Sequence, residues 1–319
     1  LMTVIYPNKS IDSENAYFSA QLKLEETIKK MKNNSVNLSF NEKNIKEKID
    51  FKSNYSKQKY FEIVNRAKKY IEQGDIFQVV TSQRFETNYE LKAIDLYRSL
   101  RRLNPSPYLV NLNFDDIGLV ASSPELMVQL KNDRVTIRPI AGTRKRGKNS
   151  LEDIELSKDL LSDKKELAEH LMLLDLGRND VGRVSKSNSV KVTEKMLIEY
   201  YSHVMHIVSN VEGKIDNKFD AVDALMAGFP AGTVSGAPKI RAMEIIDELE
   251  NTRRKVYAGG IGYFAANGDF DTCIALRTAV SKNNKFFVQS GAGIVADSKP
   301  INEFNETVNK AKALIKALE

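Results

Sequence analysis

The sequence predicts an α+β protein whose strands pair mainly as antiparallel hairpins. Short apolar segments follow one another with tight turns between them, as at 266–269 (Ala-Asn-Gly-Asp) and 282–284 (Lys-Asn-Asn), and such turns join antiparallel neighbours. Other segments carry apolar residues three and four apart, as at Gln58–Glu72, which is the spacing of an amphipathic helix. Groups of strands separated by helices are typical of the α+β class.

The first part of the chain differs in character from the rest. A short apolar strand is predicted at Leu1–Tyr6 and a helix at Ser13–Lys32, where apolar residues recur at helical spacing. The stretch 32–59 is rich in Lys, Asn and Ser and is typical of a linker. We therefore predict two parts, with the boundary between 1–52 and 53–319.

The second part contains helices with one apolar face. Gly74 closes the first of them, Pro105 follows the second, and Pro238 opens the fifth, where its missing N–H is tolerated. These helices are predicted at Gln58–Glu72, Ala93–Leu103, Leu151–Leu176, Ala221–Ala227, Pro238–Glu250 and Asn302–Leu318. Strands are predicted at Phe77–Phe85, Tyr108–Phe114, Ile117–Ser122, Glu125–Lys131, Arg134–Pro139, Tyr257–Ala265, Thr272–Ser281 and Lys285–Ala292.

Composition excludes several classes of protein. No run of about 18 apolar residues occurs, which excludes a membrane span, and no signal peptide is visible in the first ten residues. One cysteine cannot form an internal disulfide. The net charge of +6 lies largely in residues 1–60, which hold 11 Lys against 7 Asp or Glu, and not on a folded recognition surface. We expect a soluble, cytoplasmic protein that binds neither nucleic acid nor membranes.

Two pairs of carboxylates are candidates for a metal site. Glu166 and Glu169 lie one turn apart on a predicted helix, and Glu303 and Glu306 repeat this spacing on the last helix. Two helices that each offer a pair of carboxylates are suited to a hard cation such as Mg²⁺. Solvated charges on ordinary amphipathic helices are the alternative, and spacing does not decide between the two.

Three glycine-containing loops are candidates for ligand contact. They are Ile140-Ala-Gly142-Thr143-Arg144, Pro230–Lys239 and Ser290-Gly291-Ala-Gly293-Ile294. The second opens a helix and offers N–H groups that suit an anion, and the glycines of the third let a ligand approach the backbone. Each loop alone is equally typical of a tight turn, but together with four carboxylates they favour a site for an acidic substrate with a bridging metal.

A few other side chains could carry chemistry. His203 and His206 lie one turn apart if their segment is helical, and they are either catalytic or ordinary core residues. Cys273 lies in a buried-strand pattern and is expected to pack as a small hydrophobic residue. The side chains of Tyr257, Lys239 and Arg277 either face a cavity or lie along the surface.

Eight motifs appear in the order of a known family. They are Gly74-Asp-Ile-Phe-Gln78-Val-Val80, Asn104-Pro-Ser-Pro-Tyr108, Ser123-Pro-Glu125, Pro139-Ile-Ala-Gly-Thr-Arg144, Glu166-Leu-Ala-Glu-His170, Asp175-Leu-Gly-Arg-Asn-Asp180, Pro230–Lys239 and Gly291-Ala-Gly-Ile-Val-Ala-Asp297. Over residues 55–319 the chain resembles the chorismate-utilising enzymes, and among them the anthranilate synthases. The resemblance implies mostly antiparallel sheets packed as a sandwich with helices on the outside. It also implies that residues 1–52 are a remnant of the family's N-terminal domain with a linker.

The resemblance implies roles for particular residues. Glu169 and Glu306 match the positions that bind Mg²⁺ directly, and Glu166 and Glu303 match supporting positions. His206, rather than His203, matches the histidine associated with pyruvate elimination. Two further catalytic assignments are Thr233, in the matching active-site loop, and Glu166, the expected proton donor to the leaving oxygen. The positions that match chorismate contacts are Gly142, Thr143, Tyr257, Arg277, Gly291, Ala292 and Gly293.

The implied activity is that of a lyase of tryptophan biosynthesis, which converts chorismate and ammonia to anthranilate and pyruvate. A separate or fused glutamine amidotransferase would supply the ammonia, because Cys273 lacks the setting of a glutaminase nucleophile. Homodimer and heterotetramer are both open. Related aminodeoxychorismate synthases commonly carry Lys where this chain has Ala141, and isochorismate synthases carry Lys where it has Gln78. The alternatives are an aminodeoxychorismate synthase component and a catalytically inactive chorismate-binding subunit.

Overall fold

The computed structural model describes residues 1–5, 12–33, 49–88, 92–201 and 204–318. The chain divides into two units, Leu1–Lys46 and Glu47–Glu319. In the first unit, α1 (Ser13–Asn33) confirms the predicted helix, and none of its side chains is buried. The strand predicted at Leu1–Tyr6 is wrong for Leu1–Ile5, which have no regular structure. Most of the predicted linker and His203 lie outside the described residues.

The second unit contains two sheets, and the described strands within each pair in antiparallel fashion. Strands are numbered along the chain. The first sheet has the order β1-β2-β14-β13-β4-β3, with β10 added on β2. Its strands are β1 (Lys52–Ser53), β2 (Gln78–Asn88), β3 (Tyr108–Asn113), β4 (Gly118–Ser123), β10 (Gly236–Ala237), β13 (Thr278–Lys282) and β14 (Lys285–Ile294).

The second sheet has the order β11-β12-β5-β6-β9-β7, with β8 also paired to β9. Its strands are β5 (Leu126–Lys131), β6 (Arg134–Ile137), β7 (Ile140–Lys145), β8 (Lys191–Tyr200), β9 (Val204–Lys214), β11 (Gly260–Phe264) and β12 (Phe270–Ile274). Ala121 of the first sheet packs in one core cluster with Ile261 and Cys273 of the second. The two sheets therefore meet through buried apolar side chains.

Seven helices of this unit cover the sheets. They are α2 (Lys57–Glu72), α3 (Ala93–Leu103), α4 (Ser150–Ser162), α5 (Lys164–Gly182), α6 (Ala221–Gly228), α7 (Lys239–Leu249) and α8 (Pro300–Leu318). Helices α2, α3, α7 and α8 pack on the first sheet, and α4, α5 and α6 pack on the second. The predicted α+β class, with antiparallel sheets and flanking helices, is confirmed. Among the described helices, none has the length and apolar character needed to cross a membrane.

Strand alternation in β2 and β14 separates a core face from a cavity face. Val79 and Ile294 are fully buried and pack with side chains of α2 and α7. Their neighbours Gln78, Val80 and Gly293 line a cavity instead. The same two strands therefore anchor the helices on one side and form a wall of the candidate site on the other.

Two predicted elements differ from the structure. The helix expected at Leu151–Leu176 is two helices, because Asp163 ends α4 and its carboxylate accepts hydrogen bonds from the first backbone N–H groups of α5. The strand expected at Thr272–Ser281 is also divided: β12 belongs to the second sheet and β13 to the first. Arg277 lies in the connection with a φ of 47°, and this left-handed backbone turns the chain from one sheet into the other.

A buried ion pair joins the start of α7 to the end of α5. Lys239 Nζ lies 2.7 Å from Asp180 Oδ2, and the two side chains are 12% and 5% exposed. Burial raises the pKa of Asp180, and the Lys239 ammonium opposes this shift. Lys239 is therefore held in the interior by Asp180 and is not among the residues that line the large cavity.

We expect Lys239→Met to lower the free energy of unfolding by about 3 kcal/mol, because it leaves the Asp180 carboxylate buried without its partner. Adding Asp180→Asn should restore part of the loss, and urea unfolding of both variants measures this. Lys59→Met is the control: Lys59 pairs with Glu62 on the surface, so it should cost at most about 1 kcal/mol. Equal losses in Lys239→Met and Lys59→Met would contradict a stabilising role for the buried pair.

Candidate active site

A cavity of about 560 Å³ is lined by residues of both sheets and of α5 and α8. Strands β2 and β14 contribute one wall, and β7 and β9 contribute another. Its charged lining residues are the carboxylates Glu125, Glu166, Glu169, Glu303 and Glu306 and the cations Lys165, Arg277 and Lys310. A cavity of this size with converging polar groups is typical of a small-molecule site.

The cavity brings together all the predicted site residues except Ala292. Those that line it are Gly142, Thr143, Glu166, Glu169, His206, Thr233, Tyr257, Arg277, Gly291, Gly293, Glu303 and Glu306. The Ala292 side chain is fully buried, because it alternates with Gly291 and Gly293 along β14. The sequence did not decide whether Tyr257 and Arg277 face a cavity or lie along the surface. In the structure, both line the cavity.

The four predicted metal ligands line the same cavity although they come from two distant helices. Burial raises the pKa of Glu169, and the negative charges of Glu166 and Glu306 raise it further. Burial and the charge of Glu306 likewise raise the pKa of Glu303. The carboxylates therefore repel one another across the cavity, and a bound cation would relieve this repulsion.

All four of these carboxylates have a partner within the protein, and for Glu303 it is the Ser298 side chain. Arg144 Nη1 donates to Glu166 Oε1 at 3.2 Å, Gln78 Nε2 donates to Glu169 Oε1 at 2.9 Å, and Lys310 Nζ lies 2.7 Å from Glu306 Oε1. Within the described residues, no three His, Cys, Asp or Glu side chains are grouped closely enough to hold a metal ion. Four carboxylate groups around one cavity are hard oxygen ligands, which fit Mg²⁺. The Glu side chains would have to move closer together to bind the ion.

Glu125 is a cavity residue to which sequence reasoning gave no role. It follows β4 in the Ser123-Pro-Glu125 motif, and it is 8% exposed. Burial raises its pKa to about 7, against the opposing influence of the Thr233 hydroxyl and the positive charges of Lys310 and Arg277. A carboxyl group with such a pKa can hold a proton near neutral pH and donate it to a ligand.

His206 faces the cavity from a strand, and the helical spacing considered for it is wrong. Its Nδ1 lies 3.1 Å from Gly142 O and 3.0 Å from Thr143 Oγ1. A carbonyl only accepts, so we assign the Nδ1 proton to this contact, which leaves Nε2 as the proton acceptor. Burial lowers the pKa of His206, which favours the neutral imidazole that such a base needs.

The lining also contains cationic side chains and exposed backbone that suit an anion. Lys310 Nζ donates to Gly291 O at 3.0 Å, and sequence reasoning gave this lysine no role. A Cβ atom on Gly291 would lie 2.7 Å from Tyr257 Oη, so only glycine lets the tyrosine approach this backbone. Burial lowers the pKa of the Arg277 guanidinium, and the charge of Glu125 opposes that shift.

One polar atom in the lining, Gln78 Oε1, is buried and lacks a hydrogen-bond partner among the described residues. Buried polar atoms are normally satisfied. The Gln78 side chain lines the cavity, so a ligand with a hydrogen-bond donor would satisfy it.

Comparison with known proteins identifies relatives of this chain. A model of the chorismate binding enzyme family matches residues 4–316. The anthranilate synthase component 1 of Cereibacter sphaeroides is 61% identical over 85% of this chain and 54% of the relative. That of Aquifex aeolicus is 54% identical over 99% of this chain and 63% of the relative. The chain thus spans between half and two thirds of the length of these curated relatives.

Solved structures agree with the sequence comparison. Anthranilate synthase component I from Streptococcus pneumoniae superposes with a TM-score of 0.85 and 43% identity, over 96% of this chain and 67% of that one. A putative 2,3-dihydroxybenzoate-specific isochorismate synthase from Bacillus anthracis gives a TM-score of 0.75 and 27% identity, over 85% of this chain and 74% of that one. With a family model that matches nearly its whole length, this chain belongs to the chorismate-binding enzyme family.

Proposed function

We propose that this chain is the chorismate-converting component of an anthranilate synthase, a lyase that forms anthranilate and pyruvate from chorismate and ammonia. The observation that carries the proposal is the cavity in which carboxylates of α5 and α8 face Arg277 and Lys310. Chorismate has two carboxylates, so it needs both a cationic wall and a site that accepts negative charge through a metal ion. The names of the similar proteins support the same activity.

The enolpyruvyl carboxylate of chorismate is assigned to the wall formed by Tyr257, Arg277 and β14. A guanidinium offers a planar pair of donors that suits a carboxylate. Gly293 keeps the backbone accessible, since a Cβ atom there would lie 2.6 Å from Gln78 Nε2. The backbone of Gly291, Ala292 and Gly293 therefore approaches the substrate, and the Ala292 side chain points away from it.

Glu169 and Glu306 would hold Mg²⁺, with Glu166 and Glu303 supporting them. When bound, the ion would act as a Lewis acid toward the ring carboxylate of chorismate. The residues of the chain orient the ring: Gly142 and Thr143 close one side of the cavity, and Thr233 offers a hydroxyl group.

The amination step needs a proton donor at the C4 oxygen. Ammonia adds at C2 of the ring, and the C4 hydroxyl leaves as water once it is protonated. We assign this proton to Glu125, whose raised pKa of about 7 suits a general acid. Glu166, the expected donor, instead accepts a hydrogen bond from Arg144.

The second step makes the ring aromatic. His206 Nε2 is assigned as the acceptor of the C2 proton. The electron pair of the C2–H bond forms the new ring double bond as the C3–O bond breaks, and the released enolpyruvate takes up a proton and becomes pyruvate. Neutral imidazole can accept this proton because the contact of Nδ1 with Gly142 O fixes the tautomer.

Two lining residues favour this reaction over those of related enzymes. Ala141 carries only a methyl group, so it cannot form a covalent bond to the ring as a lysine could. Gln78 carries a neutral amide, which is a poor base for activating water. Both line the cavity. Direct addition of ammonia at C2 is therefore favoured over aminodeoxychorismate or isochorismate formation.

The ammonia would come from a glutamine amidotransferase subunit. A glutaminase needs a reactive thiolate. Cys273 is 1% exposed, and burial raises its pKa to about 11. This cysteine therefore cannot supply the nucleophile, and a separate or fused amidotransferase would supply it.

The direct test incubates the chain with chorismate, ammonium and MgCl₂ near pH 7 and follows anthranilate fluorescence and pyruvate release. We expect both products in equal amounts. A 4-amino product without pyruvate would instead identify an aminodeoxychorismate synthase. Chorismate binding by a folded chain that forms no product would identify a binding subunit.

We expect Glu306→Gln to weaken Mg²⁺ binding at least about tenfold in calorimetry with chorismate present, because it removes one charged ligand. Turnover should fall in parallel. Glu62→Gln changes an exposed carboxylate on α2 and serves as the matched control. Unchanged Mg²⁺ affinity in Glu306→Gln would refute the metal assignment.

We expect Glu125→Gln to lower kcat by about 100-fold or more, because an amide cannot donate the proton. In the wild type, kcat should fall as the pH rises above about 7, the pKa of Glu125. Wild-type kcat in Glu125→Gln would exclude Glu125 as the acid.

The same variant has a stability readout. A carboxyl group whose pKa is raised in the folded state stabilises the protein below its unfolded pKa of 4.5, and that stabilisation is lost as the pH rises toward 7. Between pH 4.5 and pH 8 the wild type should therefore lose up to about 3 kcal/mol relative to Glu125→Gln. If the unfolding free energies of the two proteins change with pH in parallel, the pKa of Glu125 is not raised in the folded state.

A further inference from the structure

We infer that Arg254 is a positioning residue for the chorismate site, holding the Thr233–Val234 turn and Tyr257 in place against β2. The inference rests on the proposed function. Arg254 does not line the cavity, but Val80, Val234 and Tyr257 do. Any effect of Arg254 on the substrate must therefore pass through these neighbours.

The guanidinium of Arg254 joins two separate walls of the cavity. Its Nη1 donates to Val234 O at 2.7 Å, and its Nη2 donates to Val80 O at 2.5 Å. Val234 ends the short 3₁₀ turn that carries Thr233, whereas Val80 belongs to β2. One side chain thus fixes the distance between the turn and the sheet.

A buried carboxylate fixes the orientation of this guanidinium. Arg254 Nε donates to Glu250 Oε2 at 3.0 Å, and Nη2 donates to Glu250 Oε1 at 2.6 Å. Glu250 Oε1 also accepts from Ser82 N and Ser82 Oγ, both at 2.8 Å. The Glu250 side chain is 4% exposed. The bidentate pair is therefore attached to β2 on one side and to the end of α7 on the other, and it cannot rotate freely.

Arg254 also supports Tyr257. The guanidinium carbon lies 5.5 Å from the centroid of the Tyr257 ring, which is within the range of a cation–π contact. The backbone N–H of Tyr257 donates to Arg254 O at 3.2 Å. The ring is thereby held so that its hydroxyl reaches Gly291 in the cavity wall.

Lysine cannot replace this arrangement. An ammonium group is a single point of charge, and it lacks the planar fork that reaches Glu250 and two carbonyls in different directions. Arg254→Lys should keep the charge beside Glu250 but release the turn and the tyrosine ring. Small displacements of positioning groups can cost up to about 100-fold in rate.

The test compares Arg254→Lys with Arg253→Lys, which changes the exposed neighbouring arginine. We expect Arg254→Lys to lower kcat/KM for chorismate at least about tenfold while KM for ammonium stays near wild type. In Arg254→Ala, millimolar guanidinium should restore part of the lost activity. Arg253→Lys should match the wild type throughout.

Calorimetry of chorismate in the presence of MgCl₂ separates this inference from the proposed reaction, because it needs no turnover. Weaker chorismate binding in Arg254→Lys supports the positioning role even if no anthranilate forms. Wild-type binding and wild-type kcat/KM would overturn it. If Arg254→Lys does not fold, Glu250→Gln decides the question, because it keeps a side-chain oxygen beside Arg254 but removes the charge that orients the guanidinium. Weaker chorismate binding supports the role, and unchanged binding overturns it.

Discussion

Repulsion between carboxylates in one cavity is the constraint on which the candidate site depends. Glu166 and Glu169 on α5 and Glu303 and Glu306 on α8 line the same space, and like charges brought together out of water are costly. The protein offsets this cost locally: Arg144, Gln78 and Lys310 each bind one of these carboxylates. On the proposed function, a divalent cation would replace these internal partners.

The sheets make this concentration of charge possible. Because side chains alternate along β2 and β14, one face packs on the helices while the other lines the cavity. Arg277 reaches the same cavity because the chain changes sheets at a left-handed residue between β12 and β13. The position of Arg277 in the cavity therefore depends on this change of sheet.

Local sequence patterns predicted most helices and several strands. They did not predict where long-range strand pairing divides or interrupts a segment. The helical spacing predicted that Glu166 and Glu169 lie on one face of a helix, and it predicted the same for Glu303 and Glu306. The division of Thr272–Ser281 between two sheets could not be predicted, because its apolar pattern continues through the turn. Strands β7, β8 and β9 were missed for a related reason: three register shifts interrupt the alternation of β7 and β8 against β9.

Some residues of the site received no role from the sequence because their role depends on burial. A sequence motif does not show which side chains the fold buries. Glu125 differs from an ordinary surface glutamate only because the fold removes it from water and so raises its pKa. Arg254 and Glu250 likewise form a pair at helical spacing, which on a surface would contribute little. In the buried pair, Arg254 contacts the backbone of two cavity walls. The placement of these walls therefore depends on a side chain that does not line the cavity.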